Sequence, residues 1–482
     1  MNFTDIFKRQ AETTESENGG KVFSTTSNEL LDLFANIGGM RNRKEKDVVE
    51  MWLAARNCDK ELADNLILYT RDIRNQGLGE RNLGRILLRE LALIDPHKIE
   101  RNLQTIVDAG RWDDLYCFVG TPVEKEMWNF IELQLKLDIE GMKNREPISI
   151  MAKWLKSSNT SSEESRKLAK KTYQALGLTE RTYRKTLSAL RKYLRVVETL
   201  MSAGKWNEIN FEEVPSVAMS RYIKTYDKHC QERFEEYKES LKKGEAKVNA
   251  SVLYPYDITM KFFKGTGLDV VDEAQWNSLP NYVDGENDVV VMADVSGSMT
   301  VDHCRPIATS IGLATYFAQR NKGAYHGMYM TFTNDPHFIK INDNWSLKKT
   351  LDEVVHKGIG YSTDLDKAFE AIFEVAETSG DCPSSLIVIS DMEIDRWYSG
   401  DYCDSIAQKW EKKYLEIGLK APKLILWNVE SRGGRVLAQQ SERVGFVSGY
   451  GVSSFSNLMI LINKSAYEAM VEILSKPQFQ WK

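Results

Sequence analysis

Two periodicities divide this chain. From residue 26 to about residue 250, apolar positions recur at three- and four-residue spacing and strict alternation is rare. The segments KDVVEMWLAARN, KELADNLILYTRDIR, RNLGRILLRELALI, HKIERNLQTIVDAG and EKEMWNFIELQLKLDIEGM each read as a helix. Links as short as IDP and VGTP separate them, with Pro96 and Pro122 as starts or stops. Helices joined this closely predict an all-α domain, either stacked like HEAT repeats or packed as an irregular bundle. No clean repeat period decides between the two. One further segment, Arg181 to Leu200, is sharply two-faced. At 100° per residue, Tyr183, Leu187, Leu190, Leu194 and Val197 fall within an arc of roughly 80°. Arg181, Arg184, Lys185, Arg191, Lys192 and Arg195 occupy a separate arc of roughly 120°.

From residue 286 to 482 the pattern changes. DVVVMA, GMYMTFT, HFIKI, SSLIVIS, KLILWNV and RVGFVS are short apolar strands. Between and after them, CRPIATSIGLATYFAQR, SLKKTLDEVV, TDLDKAFEAIFEVAET, IAQKWEKKYLEIG and SAYEAMVEILSK read as helices. Apolar strands alternating with helices predict a doubly wound, Rossmann-like α/β sheet covered on both faces. The expected organisation is therefore α followed by α/β. Residues 1–25 are polar and expected to be flexible, 26–250 form the helical domain, 251–285 connect, and 286–482 form the sheet domain.

Composition narrows the class. The chain has 482 residues, 42% hydrophobic and 28% charged. Neither a signal-peptide core nor a run of about 18 apolar residues is present, so a cytoplasmic protein is expected. Six scattered cysteines without Cys-x-x-Cys read as reduced thiols, and the six histidines show no zinc spacing. The net charge of −5 conceals an asymmetry. Residues 143–205 hold fifteen Lys/Arg against five Asp/Glu, whereas 284–482 hold twenty against twenty-six. A basic segment with six aligned cations points to an anionic ligand, the alternative being a solvated basic face.

Candidate chemistry sits at predicted strand ends. In a doubly wound sheet, ligands bind beyond the carboxyl ends of the strands. There DVSGSM offers Asp294, Ser296 and Ser298, STDLDKA offers Thr363, and SDMEID offers Asp391. Two carboxylates and three hydroxyls are a hard-oxygen set suited to Mg²⁺, or to Mn²⁺ or Ca²⁺. Such a site leaves positions for water or for a partner's carboxylate. A nucleophile elbow fails because the order is Ser-Gly-Ser with no histidine placed as base. A phosphatase-like aspartyl nucleophile lacks its second carboxylate, since Ser296 stands there. No phosphate-cradling glycine loop follows a strand. A hydrolase lacks a visible general base. The bland alternative is that Asp294 and Ser296 cap a turn and a helix.

DVSGSM, STDLDKA and SDMEID resemble the metal-ion-dependent adhesion site of von Willebrand factor A domains. The resemblance covers about residues 286–482 and implies Asp294, Ser296, Ser298, Thr363 and Asp391 as the metal set, the last often acting through water. In the first half, YTRDIRNQGLGERNLGRILL, AGRWDDL, AKWLKSSNTSS, YRKTLSALRKYLRVVE and VPSVAMSRY resemble a family of unknown function found in microbes, plants and large DNA viruses or phages. That family couples such a helical half to the A domain. Its architecture is similar to the Ro autoantigen (TROVE) proteins, whose helical ring binds small structured RNAs and the ends of misfolded RNA. The resemblance implies a monomeric, non-enzymatic ribonucleoprotein scaffold. The alternative is an assembly module, cellular or viral, that captures an acidic protein partner through the metal.

The basic residues then become candidate RNA contacts. Arg71, Arg74 and Arg81 surround Gly77 and Gly79, where backbone could approach a phosphate. The competing reading is a plain helix break with Arg81 paired to Asp72. Lys153 and Lys156 offer cations beside the donors Ser157, Ser158, Asn159 and Thr160, or simply flank a helix end before an N-cap at Ser161 or Ser162. Arg181, Arg184, Lys185, Arg191, Lys192 and Arg195 complete the set. Trp112 reads as core, with Asp113 and Asp114 holding Arg111.

Overall fold

Residues 13–23 lie in the stretch expected to be flexible, yet they pair as an antiparallel hairpin of β1 (Thr13–Glu15) and β2 (Lys21–Phe23). The structure, a computed structural model, describes residues 11–283, 288–332, 335–358, 364–394, 406–439 and 443–482. The hairpin docks on the sheet domain through a bridge in which Phe23 N donates to Val436 O at 2.8 Å and Val436 N donates back at 2.9 Å.

The sheet domain contains six strands: β3 (Val289–Asp294), β4 (Met328–Phe332), β5 (His337–Lys340), β6 (Ser385–Ser390), β7 (Lys423–Asn428) and β8 (Val444–Ser448). Their spatial order is β5-β4-β3-β6-β7-β8, parallel except for the edge strand β5. This is the doubly wound order, whose direction of winding reverses between β3 and β6. Every residue of β6, β7 and β8 is buried, so both faces are covered. Covering helices include Val301–Arg320, Leu365–Ser379 and Leu458–Asn463. A further one, Glu29–Asn36, comes from the far end of the chain.

That last helix alters the expected division at residue 250. Its N-cap Asn28 accepts from Leu31 N, and seven of its eight residues are buried. It packs on β7 and β8, and Ser448 Oγ donates to Phe34 O at 3.0 Å. Gly38 follows it closely enough that a Cβ there would lie 2.5 Å from Gly449 N. The C-terminus crosses in the opposite direction. Trp481 Nε1 donates to Asp64 O at 2.9 Å, and Lys482 N to Asn102 Oδ1 at 2.8 Å. One apolar core consequently runs from Val22 to Phe479 through both halves. A second cluster gathers Ile209, Phe211, Met219, Tyr226 and Phe234 with Val271.

The helical half follows the apolar periodicity, with Glu45–Cys58, Lys60–Arg71, Arg81–Ile94 and Glu124–Asn144 near their expected positions. Three departures are informative. HKIERNLQTIVDAG forms two helices, Pro96–Arg101 and Leu103–Ala109. The stretch taken as a connection contains the helices Pro255–Phe263 and Val270–Asn277. The first of these is tied to the sheet domain, since Thr259 Oγ1 donates to Ala308 O at 2.7 Å. The basic helix spans only Glu180–Tyr193 and ends in a Schellman motif, with Val196 N bonding Arg191 O and Arg195 N bonding Lys192 O. Arg195 takes the left-handed position usually given to glycine (φ 49°). No described helix is long and apolar enough to cross a membrane.

Candidate functional site

An open cavity of about 1760 Å³ lies among the helical elements, with Val452 and Ser453 of the sheet half also in its lining. Its described lining carries ten Lys/Arg against three carboxylates: Asp113, Glu180 and Glu198. The Glu180–Tyr193 helix forms one wall. Thr179 caps it by accepting from Thr182 N at 3.1 Å, and Tyr183, Leu187 and Leu190 anchor the opposite face in the core. Arg181, Arg184 and Lys185 are therefore held out into the cavity, exposed and without a hydrogen bond or ion pair among the described residues.

Eight of the eleven candidate RNA contacts line this cavity: Arg74, Arg81, Lys153, Lys156, Arg181, Arg184, Lys185 and Arg191. The structure assigns several of them other work. Arg191 donates from Nε to Ala152 O, from Nη2 to Leu155 O and from Nη1 to Ser157 Oγ, each at 2.8 Å. It is a strut for the 151–158 segment, and burial lowers its pKa. Lys156 stands 3.6 Å from Asp113. Arg74 Nη1 donates to Asp108 O at 2.9 Å.

Three candidates lie off the cavity. Arg71 is buried at 2% exposure and pairs with Asp114, which also receives Arg85. It serves the core, because a buried guanidinium needs a fixed carboxylate. Lys192 and Arg195 are exposed beyond the cavity lining. The glycine loop offers no open phosphate nest either. Gly77 N donates to Asp72 Oδ2 and Gly79 N to Asp72 O. The loop is a compact helix break whose Asp72 partners are backbone amides and Asn75. Arg81 is left exposed at the cavity.

Arg111 and Arg221 line the same cavity and were not anticipated. Arg111 makes a bidentate pair with Asp113 at 2.9 and 3.0 Å and lies 4.1 Å over the Trp154 ring. Its sequence neighbours hinted at the pairing but not at the location. Arg221 had no local signal. Trp112 is core, stacked on Phe130. The lining also includes the apolar side chains Ile150, Val217 and Val252, each more than 40% exposed.

A second constellation stands at the winding reversal. Asp294 ends β3 and Asp391 directly follows β6, the neighbouring parallel strand. Asp294 Oδ1 accepts from Ser296 N at 2.9 Å, and its Oδ2 accepts from Ser390 Oγ at 2.5 Å. The Ser296 and Ser298 hydroxyls lie 3.0 Å apart. Asp391 Oδ1 accepts from Glu393 N at 3.1 Å, and Oδ2 accepts from Arg432 Nη2 at 2.7 Å. Burial, and then the charge of Asp294, push the Asp391 carboxyl above its ordinary range, against the opposing pull of Arg432. Thr363 lies outside the described residues.

Four oxygen-bearing side chains are thus brought together, two of them buried carboxylates that repel each other, a donor set that fits a hard divalent cation. No group of three or more His, Cys, Asp or Glu side chains arranged for a metal occurs among the described residues, so a cation here would rest on carboxylates and hydroxyls together. Nearby backbone is strained: Met392 has φ 63°, and Asp302, His303 and Cys304 run from 47° to 67°. Non-glycine residues in this region cost about 1–3 kcal/mol each and concentrate at functional sites. Arg432 was missed because it lies 41 positions from Asp391 with no motif to announce it.

Two family models match consecutive parts of the chain. "Domain of unknown function (DUF2828)" matches residues 134–289, and "Domain of unknown function (DUF7788)" matches residues 288–474. They meet where β3 begins. The chain is 26% identical over 500 residues to the uncharacterized protein L728 of Acanthamoeba polyphaga mimivirus, covering 95% of this chain and 86% of that one. Among solved structures it is similar to the RO (RSR) protein of Deinococcus radiodurans, with a TM-score of 0.44 and 14% identity, over 90% of this chain and 99% of that one.

Proposed function

We propose that this protein is a non-enzymatic RNA-binding scaffold. The observation that carries the reading is the cavity wall on which Arg181, Arg184 and Lys185 project without carboxylate partners among the described residues. Unneutralised cations facing one space favour a polyanion, because each phosphate contact releases condensed counterions. Ile150, Val217 and Val252 in the same lining suit the faces of unpaired bases better than a duplex backbone. The Ro-like architecture of the resemblance points the same way. RNA contacts are assigned to Arg81, Lys153, Arg181, Arg184 and Lys185, with Arg221 added.

The test is a fluorescence-anisotropy titration with a single-stranded oligoribonucleotide at several salt concentrations. About five phosphate contacts give a slope of log affinity against log salt near −3.5, and each lost contact reduces it by about 0.7. Absence of binding at low salt, or unchanged binding after Arg181→Glu with Arg184→Glu, counts against the reading.

In the same proposal the sheet domain is a von Willebrand A-type module. Asp294, Ser296, Ser298, Thr363 and Asp391 hold Mg²⁺, or Mn²⁺ or Ca²⁺, and the ion supplies an electrophilic docking point for an acidic side chain. A protein-capture or assembly role without RNA is the second reading, supported by the two buried carboxylates at the winding reversal. Capture of a partner that survives both chelation and Asp294→Ala would remove it. A monomer in a cytoplasm, or within a virion, completes the proposal.

A further inference from the structure

A positive charge already stands against one carboxylate of the strand-end site. Arg432 sits in the segment after β7 and bridges two of the site's loops. Its Nη2 donates to Ser298 O at 2.8 Å and to Asp391 Oδ2 at 2.7 Å. Its Nη1 donates to Glu17 Oε2 at 2.9 Å. Glu17 lies in the turn of the β1–β2 hairpin, and that turn is fastened to the residues just beyond Asp391. Glu17 N donates to Glu393 Oε2 at 2.6 Å, Asn18 Nδ2 to Glu393 O at 2.8 Å, and Gly20 N to Ile394 O at 3.2 Å. Ser16 Oγ donates to the same Ile394 carbonyl at 2.5 Å. A second arginine, Arg435, stands 3.3 Å from Glu393. A continuous polar chain therefore links the hairpin turn to the Asp391 carboxylate.

We propose that Arg432 and a divalent cation are alternative occupants of the Asp294–Asp391 site, and that cation binding, by displacing Arg432, unfastens the N-terminal hairpin turn. The inference rests on the metal-site reading above and adds a residue and a segment that this reading does not contain. The physical reason is charge. Two buried carboxylates need one compensating positive group, and a guanidinium supplies it in the absence of metal. A divalent ion bound to Asp391 and Ser298 brings a second, larger charge against that guanidinium at contact distance, and low-dielectric surroundings screen the repulsion poorly. Arg432 retains one partner that the ion does not claim, Glu17, so it leaves toward the hairpin. Glu17 is then drawn from the position in which its amide bonds Glu393. A site opened in this way presents the ion to an acidic partner only after the hairpin turn has moved.

The experiment uses the full chain, stripped with chelator and titrated with Mn²⁺ by calorimetry. Hydrogen exchange is followed at the amides of Glu17 and Gly20. Wild type is expected to bind Mn²⁺ and to lose exchange protection at both amides on binding. Arg432→Gln is expected to bind Mn²⁺ at least ten-fold more tightly, while Arg432→Lys stays near wild type. Equal or weaker Mn²⁺ affinity in a folded Arg432→Gln overturns the inference. So does wild-type Mn²⁺ binding with unchanged exchange, a result that needs no variant and leaves the metal site standing. If neither wild type nor Arg432→Gln binds Mn²⁺, the metal-site reading falls and the inference falls with it.

Discussion

Arg71 Nε donates to Asp114 Oδ2 at 2.8 Å, with the two side chains 2% and 0% exposed, and this pair ties the end of one helix to the Arg-Trp-Asp-Asp turn beside the cavity. Asp114 also holds Arg85 and accepts from Arg111 N. Removing one partner of such a pair strands a buried charge. Asp114→Ala is therefore expected to cost about 3–5 kcal/mol in urea unfolding, and Arg71→Met appreciably less.

Arg184 and Arg191 are seven residues apart on one helix but should behave in opposite ways. Arg191→Ala leaves the carbonyls of Ala152 and Leu155 without their donor. A loss of about 1–3 kcal/mol is expected. Arg184→Ala touches no internal partner and should leave the melting temperature unchanged while weakening RNA binding and flattening its salt dependence. Thermal melts and anisotropy titrations of the two variants separate strut from contact.

The raised Asp391 carboxyl has a defined pH signature in metal-free protein. An acid whose folded pKa exceeds its unfolded value keeps a proton that the unfolded chain has already released. Stability contributed by this group is present at low pH and is lost as pH rises from the ordinary carboxylate range toward neutrality. The melting temperature of wild type relative to Asp391→Asn should accordingly fall across that window and level off above it. A difference that rises with pH would contradict the assignment.

Gly38 seats the first helix against the sheet, where a Cβ would meet Ser448 and Gly449 backbone at 2.5 Å. Backbone cannot yield as a flexible side chain can. Gly38→Ala should cost about 1–3 kcal/mol by overpacking and increase hydrogen exchange at β8 amides before those of β3.

The apolar runs of β3, β6 and β7 were legible because strands buried on both faces can hardly be written in any other residues. Tyr183, Leu187 and Leu190 were legible for the corresponding helical reason, and the cations opposite them followed from the same wheel. The end of that helix was not, because Arg195 occupies a left-handed position without glycine to mark it. Arg71 was misjudged because a guanidinium two turns from a glycine loop reads the same whether it faces solvent or Asp114. The glycine loop read equally as an anion cradle or as a plain helix break, and the amides of Gly77 and Gly79, bonded to Asp72, make it the break.

Local pattern by itself determined the succession of helices and strands, the two grammars of the chain, and the placement of Asp294 and Asp391 at strand ends. Each of these depends on residues within a turn or two of one another, where periodicity and capping act. Tertiary structure alone decided that the N-terminal hairpin and first helix pack on the sheet and that the C-terminus returns to the helices. It also decided that Arg111 and Arg221 join one cavity and that Arg432 lies between Asp391 and Glu17. Those pairings span tens to hundreds of positions, and they are set by which buried charge finds which partner once the core has closed.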